Sequence, residues 1–254
     1  MARRNATRPS CVTGIQDIGA PVEIRRHPAA RRLTLRVSRT QRAVIVTLPM
    51  KCDIGEADTF LDRNIDWVRE RLGSLPEPVP FVHDAIIPLR GAPHRLVYAG
   101  EVRRGPPVHA TTPADSDAEG SLEVSGAIEH AGRRLTDWLF DEARRDLDRS
   151  VQHHAGFLGL TAKRIVVRDQ SSRWGSCSTT GTLSFSWRLI LAPPLVLDYV
   201  AAHEVAHLAE MNHGRRFWAL VRRTMPQMET AKAWLQRCGM DLHRYGPATV
   251  ARSR

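Results

Sequence analysis

The chain has 254 residues, 42% of them hydrophobic and 25% charged, with a formal net charge of +10. That length and composition suit one large or two ordinary globular domains and argue against a disordered or fibrous chain. No apolar run approaches the ~20 residues of a membrane helix, and no apolar stretch follows the basic start as a secretory signal requires. The four cysteines, at 11, 52, 177 and 238, form no C-x-x-C pair. They fit free thiols in a reducing cytoplasm better than a disulfide frame.

Of the 37 basic residues, 34 are Arg, a skew that a GC-rich genome can produce without selection on the protein. Nine Arg against two acids, Asp17 and Glu23, still fall in the first 39 residues. Nucleic acid is therefore a possible partner, although a charge run of this kind is more often a solvated face.

In chain order, residues 1–20 read as a basic, disordered start. Val22-Glu23-Ile24-Arg25-Arg26 and Leu33-Thr34-Leu35-Arg36-Val37 alternate like half-buried strands, and Ala43–Leu48 is a more continuously apolar strand. Helical spacing runs from Asp53 to Leu72. A proline-rich connector, Ser74–Pro80, leads to a hairpin, Ala85–Leu89 and Arg95–Tyr98, around Gly91-Ala92-Pro93. Residues 104–120 read as an exposed loop.

From Ala127 to about His154 apolar residues recur at helical spacing, through Leu135, Leu139, Ala143 and Leu147. His153 and His154, as neighbours on a helix, point ~100° apart and make poor co-ligands; they read as surface residues. Ile165–Val167 and Leu183–Leu191 read as two strands of a hairpin. The expected organisation is α+β: a β-rich region at 21–125, then a helical domain at 126–254 with a small antiparallel sheet.

The chemistry concentrates in His203-Glu204-Val205-Ala206-His207. Residues four apart on a helix lie within about 40° around the axis and about 6 Å along it, so both imidazoles can reach one metal ion. Glu204 then stands beside the site as general base for a metal-bound water. Pro193-Pro194 precedes the segment, where a first helical turn tolerates proline. His213 would stand about 15 Å from His203 on a continuous helix, so the helix must end and fold back. Met211-Asn212-His213-Gly214 offers two residues that accept left-handed angles. Glu229, 22 residues after His207, competes for the third-ligand role. His213 is preferred because the turn serves it.

Around this motif lie Arg173-Trp174-Gly175-Ser176-Cys177, Leu183-Ser184-Phe185-Ser186-Trp187-Arg188-Leu189-Ile190-Leu191-Ala192-Pro193-Pro194, Tyr199-Val200, Glu210-Met211-Asn212-His213 and Phe217-Trp218. Together these resemble the YgjP-like metallopeptidase domain, a family distantly similar to SprT-like zinc proteases. The resemblance is dense from about Ile165 to Trp218. It implies that His203, His207 and His213 bind one zinc ion per chain and that Glu204 is catalytic.

The expected activity is zinc-dependent hydrolysis, with a peptide or protein as substrate. The substrate would lie along Leu183–Arg188 as an edge strand, with Arg173, Trp174 and Arg188 near the cleft. Tyr199, His243 and Tyr245 are candidate oxyanion donors. Two alternatives stay open: a hydrolase of a nucleotide phosphoanhydride, and a nucleic-acid-associated protein with a structural zinc. An intact Glu204 argues against the latter.

Overall fold

The two alternating runs near the N-terminus lie in one sheet, on either side of the apolar run Ala43–Leu48. The computed structural model describes residues 10–11, 18–38, 42–100, 105–111, 119–170 and 172–246. It is a mixed α+β structure, sheets first and helices after. The chain divides into two compact units, Met1–Pro76 and Glu77–Arg254. Most of the basic start lies outside the described residues.

In the first unit, β1 (Ser10–Cys11), β2 (Val22–Arg26), β3 (Thr34–Ser38) and β4 (Ala43–Leu48) form a sheet of order β1-β2-β4-β3. The continuously apolar β4 is an inner strand, parallel to β2 and antiparallel to β3. Two helices follow, α1 (Ile54–Asp62) and α2 (Ile65–Gly73), where the sequence suggests one. Asp53 starts α1 with a capping box: its carboxylate accepts from Gly55 N at 2.7 Å, and Glu56 accepts from Asp53 N at 3.2 Å. The break falls at Asn64, whose side-chain amide donates to the Phe60 carbonyl at 2.7 Å and competes with the helical ladder. Val44, Leu61 and Val68 form one buried cluster, and Ile24, Val46, Leu48 and Ala57 another.

The second unit opens with β5 (Val79–Pro80), then β6 (Ile86–Leu89) and β7 (Ala92–Tyr98) as the expected hairpin. Its two-residue turn, Arg90-Gly91, has φ of 50° and 80°, the primed geometry that matches strand twist. The stretch read as an exposed loop carries a strand, β8 (Val108–Thr111), with Val108 buried; residues 112–118 lie outside the described residues. β9 (Gly120–Val124) completes a sheet of order β6-β7-β9-β8.

A helix of 28 residues, α3 (Ala131–Leu158), ends at Gly159 with φ 67°. Leu135, Leu139, Ala143 and Leu147 are all fully buried along it, each leucine gaining about 1.5–3 kcal/mol from burial. These residues share one core with Ile87, Leu96 and Leu122 of the four-stranded sheet and with the helices that follow.

β10 (Arg164–Arg168), β11 (Gly175–Cys177) and β12 (Thr182–Ser186) form a sheet of order β10-β12-β11. β11 supplies antiparallel pairing to β12, whereas β10 joins it in parallel, so Ile165–Val167 and Leu183–Leu191 are not a hairpin. The latter run is a strand only to Ser186 and then turns into a 3-10 helix, Trp187–Leu191. Helices α4 (Pro194–Ala206), α5 (Arg215–Thr224) and α6 (Met228–Cys238) follow. The last described strand, β13 (Tyr245–Gly246), pairs in parallel with β5. Among the described residues no helix is long and apolar enough to cross a membrane.

Candidate metal centre

The helix that carries the histidine motif is apolar on almost every side. Val196, Leu197, Val200, Ala201, Ala202, Val205 and Ala206 are buried, as expected of a helix sunk in a core. Pro194 opens α4 at its first position, where its missing N–H leaves no partner wanting.

The helix stops at His207. Leu208 N and Ala209 N close short turns on Val205 O and Ala206 O, at 3.0 and 3.1 Å. Gly214 N then bonds Asn212 O at 2.7 Å, and α5 begins at Arg215. This is the fold-back that His213 requires. It is made without the expected left-handed residues: neither Asn212 nor Gly214 has a positive φ, and Gly214 is extended at φ −80°, ψ −173°. Tight hydrogen-bonded turns suffice to reverse the chain.

The result brings three imidazoles together. One ring nitrogen from each of His203, His207 and His213 lies within 4.8 Å of the others, and the Nε2 atoms of His203 and His213 are 3.0 Å apart. Two tetrahedral nitrogen ligands on one zinc ion stand about 3.3 Å apart at ordinary Zn–N lengths, so the spacing fits a shared metal. His207 is oriented for the task, because its Nδ1–H donates to the Glu210 carbonyl at 3.1 Å and frees Nε2 as a lone pair. The Nδ1 of His203 is buried without a hydrogen-bond partner among the described residues. Burial, followed by the charges of His207, His213 and Lys232, pushes the His203 imidazole down to about 4, favouring the neutral form that ligates. Phe217 underlies the cluster with ring centroids 4.8, 4.5 and 4.7 Å from His203, His207 and His213. Glu229 is not in the cluster; its carboxylate pairs loosely with Lys232 at 3.9 Å.

Glu204 is 5% exposed, and its Oε2 has no partner among the described residues. Burial pushes its carboxyl up to about 7, against the opposing pull of the Arg173 guanidinium. Gly175 of β11 makes room for it: a Cβ there would stand 2.6 Å from Glu204 Cγ and Oε1. Sequence reading did not single out Gly175, although its place inside the Arg-Trp-Gly-Ser-Cys run was a signal. Cys177, on the same strand, has its thiol pushed up by burial and then by Glu204. Tyr199 is raised to about 12 by burial, then by Glu229 and Glu204, which keeps its hydroxyl protonated beside two carboxylates.

The other residues expected near the cleft divide. Arg173 is exposed and acts on Glu204 through its charge. Trp174 is half-buried and stacks on His243, centroids 4.8 Å apart and planes 24° apart. Arg188 is 6% exposed, and each of its three guanidinium nitrogens donates a hydrogen bond. It donates to Asp169 at 2.9 and 3.3 Å, to Leu242 O at 3.3 Å and to Tyr245 O. That leaves it fastening the C-terminal segment. The expected substrate strand also moves, because β12 lies between two partners and has no free edge. The edge beside Glu204 is β11. His154, read as a surface residue, is 1% exposed, and only its neighbour His153 faces solvent.

This geometry agrees with the family to which the sequence matches. The model of the YgjP-like metallopeptidase domain matches residues 31–238, most of the chain. Among solved structures, the chain is similar to the crystal structure of the metallopeptidase zymogen of Pyrococcus abyssi abylysin. The likeness has 23% identity and a TM-score of 0.34, and it covers 39% of this chain and 98% of that one. No curated protein matches. With both ends of the family match enclosing the three histidines and Glu204, the chain belongs to the YgjP-like metallopeptidase-domain family.

Proposed function

We propose that the chain is a zinc-dependent metallopeptidase in which His203, His207 and His213 hold one zinc ion and Glu204 is the general base. The observation that carries this reading is the convergence of three imidazoles, two of them with Nε2 atoms 3.0 Å apart, beside a buried carboxyl whose Oε2 has no partner among the described residues. Zinc held there would supply a Lewis acid for water and for the scissile carbonyl.

The chain's own groups do the rest. Glu204 takes a proton from the attacking water and returns it to the leaving amine. Its carboxyl, raised to about 7, suits both directions of that transfer near neutral pH. The peptide lies along the open edge of β11, held by backbone hydrogen bonds that do not depend on its sequence. Arg173 and Trp174 flank that edge. Tyr199, whose hydroxyl stays protonated, donates to the developing oxyanion. Arg188 serves the site by fixing the segment that carries His243 against Trp174.

Elemental analysis tests the ligand set. About one zinc per chain is expected in the unsubstituted protein, with loss in His203→Ala, His207→Ala and His213→Ala. Full zinc in His213→Ala together with loss in Glu229→Ala would move the third ligand to Glu229.

A further inference from the structure

Behind the metal face, the core of the second unit holds polar side chains that the proposed chemistry does not use. His154 on α3 has both ring nitrogens engaged: Nε2 is 3.0 Å from Asp198 Oδ1 on α4, and Nδ1 is 2.7 Å from Thr224 Oγ1 at the end of α5. Ser150, one turn earlier on α3, donates to the same Asp198 oxygen. A carboxylate only accepts, so Nε2 donates to Asp198, and Nδ1 pairs with the Thr224 hydroxyl. Ser150, His154 and Thr224 are 8%, 1% and 9% exposed, and Asp198, which joins them, is half-buried. Four side chains from three helices are thus satisfied in one cluster.

Helix geometry ties the cluster to the metal centre. Asp198 precedes His203 by five residues, which places it about 140° around α4, on the back of the ligand face. Thr224 follows Phe217 by seven residues, two turns, so both lie within about 20° on one face of α5. Phe217 is the ring packed under all three histidines. The cluster therefore grips the two helices whose relative placement decides whether His213, just before α5, meets His203 and His207 on α4. Apolar contacts between two helices tolerate a slide, whereas a hydrogen-bonded network with three of its four members buried is satisfied in one placement only.

We propose that Ser150, His154, Asp198 and Thr224 are positioning residues that set the register of α5 against α4 and so hold His213 within reach of His203 and His207. The inference rests on the reading of the three histidines as a zinc site.

The test uses the full chain with Thr224→Val, Thr224→Ser and Asp198→Ala. Zinc affinity is measured by competition with a chromophoric chelator, alongside urea unfolding of the metal-free protein. Thr224→Val is expected to weaken zinc binding on the order of 10-fold, the scale seen when outer-shell support of a metal ligand is lost. Thr224→Ser restores the affinity by returning the hydroxyl. Leu96→Ala, a core change in the four-stranded sheet, lowers stability and leaves zinc affinity unchanged. A Thr224→Val chain that is less stable but binds zinc like the unsubstituted protein overturns the proposal, as does a Thr224→Ser chain that behaves like Thr224→Val. If Thr224→Val does not fold, Asp198→Ala, which removes the oxygen that accepts from Ser150 and His154, carries the same comparison, and unchanged zinc affinity in it overturns the proposal. An unsubstituted chain that binds no zinc overturns the zinc reading itself, before any variant is compared.

Discussion

A Cβ at position 175 would stand 2.6 Å from both Cγ and Oε1 of Glu204, so the side chain proposed as general base can occupy its place only while that residue is glycine. Gly175→Ala should displace the carboxylate by a fraction of an ångström to an ångström, enough to cost about 10²-fold in turnover. Zinc content should stay the same, because the histidines are not touched. Peptide hydrolysis and elemental analysis on one preparation check both halves; normal turnover would mean that β11 does not constrain Glu204. That His203 and His207 come together was legible in the sequence, since their spacing follows from helix periodicity. The glycine was not, because its role depends on which backbone crosses the carboxylate. Arg188 misled for a related reason: an arginine looks the same in sequence whether its guanidinium faces a cleft or is consumed by two carbonyls and an aspartate.

Among the elements, the network joining α3, α4 and α5 has a pH signature of its own. Burial alone would raise the Asp198 carboxyl, but hydrogen bonds from His154 and Ser150, with the charges of His154 and His153, outweigh it and hold it below its ordinary value. A carboxyl lowered in the folded state adds stability above the unfolded value of about 4, and that stability is lost as pH falls through the folded value. Urea midpoints at pH 6 and pH 3 should therefore differ less in Asp198→Asn than in the unsubstituted chain. Equal differences would show that the carboxylate contributes nothing to acid unfolding.

Element types were readable wherever periodicity was strong, as in β2, β3, β4 and α3. They were misread where a local side chain overrode the pattern, as Asn64 does between α1 and α2. Pairing partners were least readable. Nothing in Leu183–Ser186 itself says that it will be flanked on both sides, and with that goes the choice between β12 and β11 as the open edge.

At the scale of the whole molecule, composition suggested a boundary near Gly126, whereas Phe81, Ile87, Leu96 and Leu122 lie in the same buried core as α3 and α4. A chain that begins at Ala127 should therefore fail to fold, while one that begins at Glu77 should fold and bind zinc. Far-UV circular dichroism and zinc content of the two chains check this. A folded, zinc-loaded chain from Ala127 would show that the four-stranded sheet is dispensable.

The central claim is that Glu204 moves the proton in a zinc-dependent peptide hydrolysis. Its most direct test is the rate of casein hydrolysis by zinc-loaded Glu204→Gln, with zinc stoichiometry measured on the same sample. The amide keeps the shape of the side chain but cannot accept the proton, so turnover should fall on the order of 10²-fold or more at unchanged zinc content. Near-normal turnover with zinc in place would contradict the account.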